Sequence, residues 1–160
     1  MLRGKEYHRD SALRYAHRWA MGRNPVYYDF TGQGGDCTNF ISQCIYAGAG
    51  VMNHTPDLGW YYYSPSRRAA AWSSVEHLHR FLTTNKAAGP RAVECRLAQA
   101  LPGDVIQLSM SGERWHHSLL VVQGSPSGNP EEILVATHTM DSDNRPLASY
   151  SYGLTRPLKI

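Results

Sequence analysis

The apolar residues of this chain change period once, and that change limits the possible folds more than any single motif does. Up to Thr84 they recur every three or four residues. Ala12, Tyr15, Ala16, Trp19 and Ala20 form one set, Phe40, Ile41, Cys44, Ile45 and Gly48 a second, and Val75, Leu78, Phe81 and Leu82 a third. Such spacing gathers side chains on one face of an α-helix and predicts helices over 7–21, from Thr38 to about 48–50, and over 74–84. Beyond Asn85 the apolar runs 105–108, 118–122 and 133–136 are short, β-prone and separated by polar turns, which predicts strands. Helices first and strands afterwards give an α+β fold, with N-terminal helices packed on a C-terminal antiparallel sheet.

The connections carry their own signals. Asn24-Pro25 stops the first helix, and Ser73 with Glu76 forms a capping-box pattern ahead of the third. Residues 51–72 show no period and predict an irregular excursion, of a length uncommon unless it lines a cleft. At 160 residues and 42% hydrophobic content the chain is read as one domain, 1–160, able to bury a core without metal or disulfide support. No run is apolar enough to span a membrane. The net charge of +3 is scattered rather than striped, which argues against nucleic acid as partner and is compatible with an anionic polymer as substrate. The charged N-terminus lacks a following apolar stretch, so the chain as it stands is expected in the cytoplasm. A domain excised from an exported protein would instead belong outside the cell or in the wall.

GGDCTNFISQC, beginning at Gly34, concentrates the chemistry. Three cysteines are an odd number, and six residues between Cys37 and Cys44 lack the close pairing of a structural metal site, so neither a disulfide framework nor a metal is expected. Cys44 shares a helix face with Ile41 and Ile45 and reads as a small buried hydrophobe. Cys37 stands at a helix entrance, where the macrodipole and unpaired N–H groups favour thiolate and predict a lowered pKa. The same N–H groups, around Gly35, Asp36 and Cys37, can stabilise an oxyanion. Asp36 is expected to cap the helix, Asn39 to hold the loop, and either carboxylate or amide can also meet substrate. Tyr27, Tyr28, Trp60 and Tyr61 to Tyr63 are candidates for lining a groove, or for the core.

A thiol nucleophile needs a base. Of eight histidines, His8, His17, His77 and His79 fall on predicted helices, and His54 on the excursion. His117 begins one predicted strand and His138 ends the next. If those strands are antiparallel neighbours the two imidazoles can lie close. The alternative is that they only hydrogen-bond nearby turns.

Four blocks carry a family resemblance: YHRDSALRYAHRWAMGRNPVYYDF, GGDCTNFISQCIYAGAGVM, PGDVIQL, and WHHSLLVV with VATHTMD. Together they resemble the amidase-domain family similar to the NlpC-type cell-wall peptidases of papain-like fold. The resemblance implies a papain-like cysteine amidase or peptidase without cofactor, acting on a peptide or a peptidoglycan stem peptide. It assigns Cys37 as nucleophile, His117 as base and His138 as the group orienting His117, with Asp141 in reserve. Gly35, Asp36, Asn39 and Tyr28 become oxyanion-hole or substrate-binding candidates. Only one of His116 and His117 can face Cys37 from a strand, and the motif assigns His117. A silent binding module for wall fragments or a protein partner, or an acyltransferase with the same acyl-enzyme chemistry, are the rival functions.

Overall fold

The computed structural model describes residues 4–160. Two helices open the chain, α1 (Arg9–Trp19) and α2 (Cys37–Ala49), and both follow the expected period. A small ribbon, β1 (Tyr62–Ser64) and β2 (Arg67–Arg68), leads through a single turn α3 (Ala70–Ser73) into α4 (Val75–Thr84). The strands β3 (Val93–Glu94), β4 (Val105–Ser109), β5 (Trp115–Gln123), β6 (Leu134–Thr137), β7 (Ser142–Pro146) and β8 (Leu154–Lys159) form one sheet in the order β3-β8-β4-β5-β6-β7. Every neighbouring pair is antiparallel, so the architecture is α+β as expected.

The strand pattern explains where the helices go. Val105, Leu120, Ala136 and Leu158 point to one face and pack with Phe40, Ile41, Ile45, Leu78 and Leu82 of the helices. The alternate residues Ile106, Leu108, Leu119, Val121 and Val135 point to the other face, where Ile133 and Leu147 cover them and Tyr150 and Tyr152 pack at the margin. All of β4 is buried, which is why its sequence reads as a near-continuous apolar run. Each fully buried Leu, Ile or Phe contributes about 1.5–3 kcal/mol.

The excursion over 51–72 is more ordered than its lack of period suggested. Asn53 and Trp60 form a bridge, and β1 pairs with β2. Its aromatic residues divide: Trp60, Tyr62 and Trp72 enter the core, whereas Tyr63 is half exposed. Clustering of the indole of Trp60 on that of Trp72, 4.9 Å between centroids, supplies the order that hydrophobic period could not.

Candidate active site

Positive backbone φ prepares the start of α2. Gly34 and Gly35 have φ of +90° and +98°, a region that L side chains rarely enter, and a Cβ on Gly35 would come within 3.2 Å of Thr139 Oγ1. Asp36 then occupies the N-cap position, but its side chain makes no capping bond. Its Oδ1 instead accepts the Phe30 N–H at 2.8 Å and the Asn39 amide at 2.8 Å, and its Oδ2 lies 2.5 Å from His138 Nδ1. This corrects the expected cap: the buried carboxylate is taken by the Phe30 N–H, the Asn39 side chain and His138, and the first-turn main-chain N–H groups stay uncapped by it.

Cys37 is the first residue of α2 and is 7% exposed. Its sulfur lies 3.8 Å from Thr38 Oγ1, and Thr38 Oγ1 is 3.0 Å from Ser118 Oγ on β5. Gln107 of β4 donates to Ser118 Oγ at 3.3 Å and to the Val75 carbonyl at 3.0 Å, and accepts from Arg156. A buried polar chain therefore runs from α4 and β8 through the sheet to the thiol. Thr38, Ser118 and Gln107 were not singled out from the sequence, although a lone polar residue inside an apolar strand was the available signal. Burial raises the pKa of Cys37, and the Ser118 and Thr38 hydrogen bonds only partly oppose it. The expected thiolate is thus absent at rest: desolvation outweighs the helix end.

The two candidate histidines sit as follows. β5 and β6 are antiparallel neighbours, as required for His117 and His138 to approach. Yet the rings turn to opposite faces. His117 pairs across the ladder with Leu108 and packs on Tyr150, 5.7 Å between centroids, on the face away from α2. Burial, with His116 and Arg145 adding positive field, lowers its pKa to about 4. His138 stacks on Phe40, 4.0 Å between centroids, on the helix face, and its Nε2 donates to the Trp19 main-chain oxygen at 2.8 Å. Both of its nitrogens are engaged away from His117. His116 is exposed and lies where β5 slips register against β4, with Leu108 opposite His117 and Ser109 opposite Trp115. Among the described residues no histidine nitrogen hydrogen-bonds the Cys37 sulfur.

The remaining candidates divide between support and surface. Asn39 is buried, donates to the Tyr28 carbonyl and accepts from Trp72 Nε1 at 2.9 Å. Tyr28 is 40% exposed beside it, with its hydroxyl accepting from Gln33. Asp141 is bound by two Arg23 nitrogens at 2.8 and 3.0 Å rather than by a histidine. Cys44 is fully buried, and all three cysteines are free.

Residues 6–159 match the family described as "putative amidase domain". The chain is also similar to the uncharacterized protein YhbB of Bacillus subtilis (strain 168), with 36% identity over 150 residues that cover 89% of this chain and 45% of that protein. It therefore spans less than half the length of that relative. No solved structure matches.

Proposed function

The chain belongs to the putative amidase domain family, and from that premise we propose that it hydrolyses amide bonds through Cys37, in peptides of the bacterial cell wall, on a papain-like (NlpC-like) scaffold. The observation that carries the proposal is Cys37 at the uncapped first turn of a buried helix, against the strand that bears His116 and His117. The resting thiol requires a base at the moment of attack, because burial keeps it protonated.

The assignment of that base to His116 rests on the far-face position of His117, which turns its ring away from Cys37. Ser118 meets Thr38 on the helix side of β5 and His117 packs on Tyr150 across the sheet, while His116, its ring 6.5 Å from that of His117, is the extra residue where β5 slips against β4 and is not tied to either face by alternation. The local bulge is of the kind that re-aims one side chain beside a site. In the proposed reaction the sulfur attacks the amide carbon as its proton passes to His116, and first-turn N–H groups hold the oxyanion. His116 then protonates the departing amine, leaving a thioester. Water adds to the thioester, gives its proton to His116, and the carboxylic acid leaves as the thiol is restored.

Purified muropeptides digested with wild type and Cys37→Ala, followed by mass spectrometry, test the reading. A mass gain of one water at an amide that appears with wild type alone is the expected result. No Cys37-dependent change across a range of muropeptides removes the wall peptide as substrate. In the same assay His116→Ala is expected to lose about 10²–10⁴ of the rate and His117→Ala to keep most of it. The reverse order returns the base to His117.

A further inference from the structure

We propose that His138 is a positioning residue that neutralises Asp36 and clamps the entrance of α2, so that Cys37 adjoins a charge-compensated joint instead of a bare carboxylate. The hydrogen bonds locate the protons. The Trp19 main-chain oxygen, 2.8 Å from Nε2, can only accept, so Nε2 bears a proton. A second proton lies between Nδ1 and Asp36 Oδ2, 2.5 Å apart. The His138 and Asp36 side chains are 2% and 1% exposed, so the pair is shut away from solvent.

The clamp is double. The Asp36 N–H donates to Thr139 Oγ1 at 3.2 Å, so consecutive residues after β6 hold the side chain and the main chain of Asp36. Thr139 and Met140 reach this position with φ of +67° and +54°, an unfavourable backbone for both residues and worst for β-branched threonine. The segment is held in strain where it meets the helix that carries Cys37.

The surrounding charges leave His138 as the principal counter-charge. Arg23 Nε is 3.8 Å from Asp36 Oδ2, but its guanidinium is shared with Asp141 and with Asp29 at 3.2 Å. Asp143 is bonded by His17 of α1. From α2 the neighbouring groups are Cys37 and Asn39. From β5, His116 is exposed and His117 faces away. A carboxylate left bare beside Cys37 would oppose formation of the thiolate.

The inference deepens the cysteine reading, and its test measures the thiol directly, so a protein inert toward every amide still answers it. Iodoacetamide labelling of Cys37 at pH 8.5, followed by mass spectrometry of the Cys37 peptide, is expected to slow about tenfold in His138→Gln, the size of one pKa unit. The double variant Asp36→Asn/His138→Gln is expected to recover the wild-type rate, since the bare charge is gone. A merely structural role would leave the double variant as impaired as the single one. That result, or a folded His138→Gln that labels at the wild-type rate, overturns the proposal. Should His138→Gln fail to fold, nitrogen-15 NMR of wild type decides: protons on both His138 ring nitrogens support it, and one bare nitrogen at neutral pH overturns it.

Discussion

Burial lowers the proton affinity of His117 and raises that of Cys37, so at neutral pH neither is charged. For His117 the folded pKa of about 4 lies below the ordinary 6.5. Between those values the unfolded chain binds a proton that the folded chain refuses, so stability falls as pH drops through that window. Wild type is expected to lose about 2 kcal/mol more than His117→Gln between pH 7 and pH 4.5, measured by urea denaturation at both pH values. Equal losses would mean that the far-face imidazole titrates normally. At this scale the position of Cys37 was legible, because glycines, an aspartate and a helical period converge on it. The direction of each imidazole was not, since it depends on one bulged residue in β5 and on how β6 turns after Thr137.

Elements were legible where pattern and boundary agree. α2 ends at Gly50, whose φ is +70° and whose N–H bonds the Tyr46 carbonyl, as a glycine after the last periodic residue predicts. Gly50→Ala is expected to cost about 1 kcal/mol, read from the urea midpoint, because alanine disfavours that backbone region. A Cβ there would also approach Lys5 Nζ at 2.6 Å, but the end of a flexible side chain can move. β3, β7 and β8 escaped the sequence for different reasons. β3 has two residues, β7 reads SDNRP without an apolar alternation, and β8 contains Pro157. Proline is tolerated in β8 because main-chain N and C=O share one side in an antiparallel ladder. The Pro157 carbonyl accepts from the Cys95 N–H, just past the end of β3, so the missing donor lies outside the β4 pairing.

At the scale of the molecule, Arg9 fastens the first helix to the sheet. Its guanidinium bonds Asp104 at 2.8 Å, the Pro102 carbonyl at 3.0 Å and the Ile160 main-chain oxygen at 2.8 Å. Asp104 is fully buried, and its other partners are the N–H groups of Leu101 and Ile160. Arg9→Ala is expected to destabilise by about 3 kcal/mol, since it strands a buried carboxylate, and chemical denaturation against wild type measures it. The helix-then-strand order was legible from the change of period, but this clasp was not, because it joins residues 95 positions apart. The strand order has a consequence for synthesis. β8 inserts between β3 and β4, so a nascent chain halted before Leu154 presents β4 with one ladder unformed, along a strand whose side chains are all buried in the finished fold. The vulnerable interval for this domain is therefore on the ribosome, after the helix that carries Cys37 has emerged and before the closing strand arrives.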